Sequence, residues 1–165
     1  LSSGTHRQQI QTQGDPERLF STRLVHLLWL LLHHPFKVRG YLENIEDPSI
    51  FSNEQEILLI MAMLMEGHSF DAVISEVSSE HLRKLLFSLT MKDDICAVEN
   101  VELATKEIIA RYQIDSLLGR LRNVQSEIAL FSSENQFNLV KEKLSELQDI
   151  RSQYEDLQKQ ILKYK

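Results

Sequence analysis

Cysteine occurs once in the 165 residues, at Cys96, which excludes an intramolecular disulfide and any cysteine-based zinc site within the chain. Proline is nearly as scarce, with three in all and none after Pro48. Glycine is limited to five, and after Gly67 only Gly119 interrupts the chain. So long a stretch with almost no turn punctuation argues for helices and against a multi-stranded sheet. Positive charge is in deficit too. Lys and Arg number 18 against 24 Asp and Glu, a net charge of −6. Residues 1–98 carry 8 basic and 13 acidic groups and residues 99–165 carry 10 and 11, so neither half has the basic excess of a nucleic-acid binder. Leu1 to Asp15 is polar and lacks the apolar run of a signal peptide, so a cytoplasmic location is expected.

What is present is apolar periodicity. The composition is 42% hydrophobic and 25% charged, ordinary for a globular chain. Residues 1–14 (LSSGTHRQQIQTQG) read as a linker or frayed terminus. Asp15-Pro16-Glu17 is a helix start, with Asp as N-cap and Pro in the first turn, and predicts a helix from Pro16 to His33. This helix contains LVHLLWLLLHHP, with eight apolar residues in the nine from Leu24 to Leu32. The run is too short for a membrane span, which needs about 20 apolar residues, and reads as the central helix of a bundle around Trp29. Pro35 opens a short second helix ending near Tyr41 or Leu42. Ser52-Asn53-Glu54-Gln55 reads as a capping box for a third helix over 53–66, closed by Gly67. Two shorter helices follow, over 69–77 and 79–89, and Asn100 is the expected cap of a long one running to Phe131. Gln113 and Gly119 offer this helix a place to bend. Ser133 to Gln136 reads as another capping box, opening a last helix that runs to the end.

The C-terminal third has coiled-coil spacing. Leu117, Leu121, Val124, Ile128 and Phe131 form one stripe, and Phe137, Val140, Leu144 and Leu147 form another, which should face it in an antiparallel hairpin. Beyond Leu147 the stripe slips. Arg151 stands where a strict heptad wants an apolar residue, and the pattern resumes early at Ile150, Tyr154, Leu157, Ile161 and Tyr164. A three-residue step in place of four overwinds the seam and rotates its apolar face. That rotation predicts that the last fifteen residues turn their apolar edge away from the hairpin core. The expected architecture is all-α: a helical bundle over 15–98, a connecting helix over 99–116 and a helical hairpin over 117–165.

Candidate chemistry is thin. His26 and His33 lie two turns apart on one helix face, the spacing of two metal ligands, but neither HExxH nor a carboxylate one turn away accompanies them. A polar edge on a buried helix and a helix-end charge account for both. Asp93-Asp94 lacks a partner acid or base fixed by the sequence and reads as an anchor before the long helix. Phosphate loops and dinucleotide fingerprints are absent, and Ser79 beside His81 is a helix start. Met61, Met63 and Met65 suit either a core or an adaptable groove, and in so apolar a helix the core reading leads. No catalytic, cofactor-binding or metal-binding residue is expected.

With its helices in this order, the chain resembles the C-terminal helicase-binding domain of bacterial replicative primases, the DnaG family. The resemblance rests on LLWLLLHHPFKVRGYLENIED, on LRKLLFSLTMKDDI with its Met-x-Asp-Asp-Ile turn, and on IDSLLGRLRNVQSEIALFSSENQFNLVKEKLSELQ, and extends over about residues 17–150. It implies a module that makes no RNA itself. Such a domain docks the primase on the N-terminal collar of a DnaB-type hexameric helicase, couples priming to unwinding, and binds neither nucleic acid nor membrane. In that family the hairpin supplies most of the docking affinity, which implies a role for about 117–131 and 136–150. The slipped heptads extend the expected surface to Tyr154, Leu157, Ile161 and Tyr164, with Arg122, Lys141, Lys143 and Arg151 as rim charges. Two rivals accompany this reading: the similar N-terminal domain of the helicase itself, and a coiled-coil protein that self-associates weakly through its last helix.

Overall fold

A computed structural model describes residues 15–92 and 98–164. The linker expected over 1–14, the Asp93-Asp94 pair and Cys96 lie outside the described residues. Within them the chain is all-helical, without a strand. Seven α-helices follow in order: α1 (Thr22–His33), α2 (Pro35–Leu42), α3 (Gln55–Met65), α4 (Phe70–Glu76), α5 (Glu80–Met91), α6 (Val101–Ser133) and α7 (Phe137–Lys163). Among the described residues, no helix is long and apolar enough to cross a membrane.

The N-terminus departs from the predicted single helix over Pro16–His33. Asp15 does cap a helical turn, its carboxylate accepting from the Glu17 N–H at 3.0 Å, but the turn is 3₁₀ and ends at Leu19. Phe20 is extended, and Ser21 starts α1 afresh by accepting from the Leu24 N–H at 3.2 Å. A second capping side chain five residues after Pro16 makes the break cheap, and it lets Phe20 pack against the core.

Helix α1 is the centre of the bundle. Seven of its residues are buried, including Leu27, Leu28, Trp29 and Leu31 with no exposed surface, and α2, α3, α5 and α6 all pack against it. Helices α4 and α5 begin within a residue of the predicted starts at 69 and 79, with Ser69 accepting from Ala72 N–H and Ser79 from Leu82 N–H. Gly67, at φ +84°, ends α3 in a Schellman turn, with Gly67 N–H donating to Leu64 carbonyl and His68 N–H to Met63 carbonyl. The capping box predicted at its other end does not form. Ser52 instead accepts from the Glu54 N–H, a local turn that uses up its hydroxyl, and α3 starts at Gln55 without a side-chain cap.

The 33 residues of α6 run unbroken past Gln113 and Gly119, where a bend was expected. At ~1.5 Å per residue the helix is about 50 Å long. Its first part closes the bundle through Val101, Ile108, Ile109 and Tyr112. An ion pair between Arg23 and Asp115, with Arg23 also 5.3 Å over the Tyr112 ring, ties α1 to α6 just beyond. A second, smaller core then forms between α6 and α7 from Leu117, Val124 and Ile150.

Candidate docking surface

The turn between α6 and α7 is built by one residue type. Asn135 has φ 56°, the left-handed region that Asn tolerates better than other non-glycine residues. With it there, Asn135 N–H donates to Ser132 carbonyl at 3.3 Å and Gln136 N–H to Phe131 carbonyl at 2.9 Å, a second Schellman turn. The capping box predicted over Ser133–Gln136 is displaced by this closure. Ser133 is the last residue of α6, its hydroxyl donating back to Leu130 carbonyl, and α7 starts uncapped.

From that turn α7 runs back along α6. Leu121 and Ile128 of α6, with Leu147, Tyr154 and Leu157 of α7, pack half-buried around the small core. Charges hold the register. Lys143 lies 2.7 Å from Glu127 across the hairpin and 3.1 Å from Glu146 on its own helix, and these carboxylates, Glu127 first, hold its ammonium above the usual lysine range. Arg120 approaches Glu146 at 3.9 Å.

The slipped stripe departs from its prediction in its first part, where Ile150, Tyr154 and Leu157 pack on the hairpin core, whereas Ile161 and Tyr164 lie outside that core. Ile150 and Ile161 are buried, and Tyr154, Leu157 and Tyr164 are half-buried. The heptad slip rotates the apolar face, but α6 is long enough to meet it. Ile161 and Leu162 line a groove with Ile114, Arg111 and Arg23, so the end of α7 borders the bundle. Tyr154, Leu157, Ile161 and Tyr164 therefore do not form an outward apolar edge. Among the expected rim charges Arg122, Lys141 and Arg151 are exposed, while Lys143 is half-buried in its ion pairs.

Exposed apolar surface gathers at the other end of the hairpin. From Gln125 to Asp149 no residue is buried. Phe137 is 68% exposed, Leu130 53% and Leu144 49%, although Phe137 and Leu144 belong to the stripe predicted to face inward. Two helices in contact cover only one side of each other, and α7 makes its main contacts with α6. The sequence carried the signal as a stripe; what it lacked was the cover.

The histidines spread out. His33 has a ring nitrogen 2.9 Å from Leu89 carbonyl, its ring stacks at 4.7 Å on Trp29, and His26 faces a groove with Arg23 and Arg111. Among the described residues no three His, Cys, Asp or Glu side chains converge as metal ligands would. A cleft of about 550 Å³ between the α2–α3 loop, α6 and α7 brings Glu46, Asp47, Arg120 and Asp156 to one opening. Asp47 there is engaged with Ser49, whose hydroxyl first and then its N–H, at 3.0 Å, hold the carboxyl below the usual range. No protein-family model, curated protein or solved structure matches this chain.

Proposed function

We propose that this chain is a docking module without catalytic residues of its own, the C-terminal helicase-binding domain of a bacterial replicative primase. In this reading residues 15–98 are a bundle subdomain, 99–116 a connecting helix and 117–165 a hairpin subdomain, and the partner is the N-terminal collar of a DnaB-type hexameric helicase. RNA synthesis and its metals would then belong to other domains. The resemblance of the three sequence stretches supports the family. The observation that carries a docking role is the hairpin end, where residues 125–149 contain no buried side chain yet present Leu130, Phe137 and Leu144. Apolar surface of this kind, beside exposed Arg122 and Lys141, suits a protein contact with a few anchors and a polar rim.

The proposed anchors are Phe137 and Leu144, and the slipped stripe serves to hold the hairpin onto α6. Co-elution with the cognate hexameric helicase, and with its isolated N-terminal domain, tests both parts. The unaltered chain should co-elute, and Phe137→Asp with Leu144→Asp should weaken capture by about 30-fold or more, the loss of two anchors worth ~1–2 kcal/mol each. Failure of the unaltered chain to co-elute overturns the helicase assignment. Undiminished capture by the double variant overturns the surface. The self-associating reading draws on the same exposed face, and sedimentation of the chain alone over a concentration series separates it.

A further inference from the structure

Between Arg39 and Arg83 the chain contains nine Asp and Glu and neither Lys nor Arg. Within this acidic stretch lies an apolar depression on the bundle, with Asp47 in its wall. A cavity of about 310 Å³ opens between α3 and the turn Pro48–Ile50, with Leu42, Phe51, Leu58, Met61, Ala62 and Met65 as its apolar lining. Leu59, on the neighbouring face of α3, is 46% exposed.

Acids stand at both ends of this groove. Glu54 lies one helical turn before Leu58 and Glu66 one turn after Ala62, both exposed, and Asp47 forms part of the wall. Of the cations near it, Arg39 pairs with Glu43 and also attracts Glu66, which His68 approaches at 3.1 Å, so the negative charge at the Glu66 end is partly offset while Glu54 and Asp47 keep theirs. Methionine adds adaptability, since unbranched thioether side chains repack around differently shaped apolar groups. An apolar floor with acids at its ends selects against acidic ligands and favours cationic over neutral ones. It fits a helix that presents two or three leucine-sized side chains flanked by Lys or Arg.

We propose that this groove is a second docking site, which takes a basic amphipathic helix of another protein. The site lies apart from the hairpin end that carries Phe137 and Leu144, and it does not rest on a helicase contact there. The groove holds the anchors, and Glu54, Glu66 and Asp47 supply attraction and reject acidic competitors.

Methionine methyl NMR on the whole chain tests this, because Met61 and Met65 line the groove while Met91, 85% exposed on α5, serves as a remote reporter. The probe is a synthetic two-heptad peptide of Leu and Lys, with the same peptide carrying Glu for Lys as its counterpart. The Lys peptide should shift the Met61 and Met65 methyls saturably and leave Met91 in place, and the Glu peptide should do neither. Glu54→Lys with Glu66→Lys should weaken binding by about tenfold or more, as should raising salt from about 0.05 to 0.5 M. Absence of a shift at Met61 and Met65, equal shifts with the Glu peptide, equal shifts at Met91, or indifference to the double charge reversal each overturn the proposal.

Discussion

Glu56 shows how much one side chain settles. It sits in the first turn of α3, and one carboxylate oxygen accepts from the Ser78 N–H, the Ser78 hydroxyl and the Ser79 N–H at the start of α5. The contact joins segments 22 and 23 residues apart and fixes the α4–α5 corner. Backbone donation, from Ser79 first, holds the Glu56 carboxyl below its ordinary 4.5 despite the opposing effect of burial. A carboxylate whose folded value is depressed contributes stability above its unfolded value and loses it as pH falls through the folded one. Glu56→Gln is therefore expected to lower stability by about 1 kcal/mol near pH 7, since a charged acceptor is exchanged for a neutral one. The difference should shrink below about pH 4.5, as the native carboxylate takes up its proton. Urea unfolding of both proteins across pH 3–7 checks this, and a gap independent of pH sinks the carboxylate's role. Nothing in the sequence marked Glu56, because its partners are distant in the chain. Ser79 and Gly67 were legible, because a cap acts within three residues of itself.

Element boundaries followed the same division between local and distant causes. Ser52 and Ser133 carry the letters of a capping box, yet each hydroxyl makes a nearer bond, and left-handed Asn135 decides where α7 starts. Periodicity located the stripes on α6 and α7 correctly but not which parts of them are covered. Cover depends on α6 extending past the hairpin core into the bundle, which no heptad count contains. This uneven cover has an energetic consequence. Ile150, 1% exposed in the core against Leu117 and Val124, should lose about 2–4 kcal/mol on Ile150→Ala. Phe137→Ala should cost less than about 1 kcal/mol, since the larger side chain starts 68% exposed. Denaturant unfolding of the two variants side by side gives the ranking. Equal losses would mean that the hairpin end is packed as tightly as its middle.

At the scale of the molecule, two cores of unequal size share one helix. The bundle core extends from Leu24 to Tyr112 and encloses Trp29, whereas the hairpin core has three buried residues and ends at Val124 and Ile150. All-helical class and the central place of the Leu-rich segment were readable from composition, from the missing turn residues and from an apolar run too dense for any surface. The gradient of burial along α6 was not, because it arises from which neighbours reach each turn of the helix. Local opening costs least where few apolar contacts are lost, so stability should fall along α6 from Ile108 towards Phe131. Native-state hydrogen exchange is expected to show amides of α1 and α5 exchanging through global unfolding. Amides of 125–149 should exchange through a smaller opening, with a weaker dependence on denaturant, because fraying the hairpin end exposes little surface. Exchange of 125–149 only with global unfolding would contradict the two-core description. A protein that docks on Phe137 and Leu144 must cover this same segment, so its binding should slow exchange at 125–149 while leaving α1 unchanged. A basic helix in the α3 groove should instead act at Leu58–Met65. The two proposed contacts thus leave separate marks on one chain, and either can fail without the other.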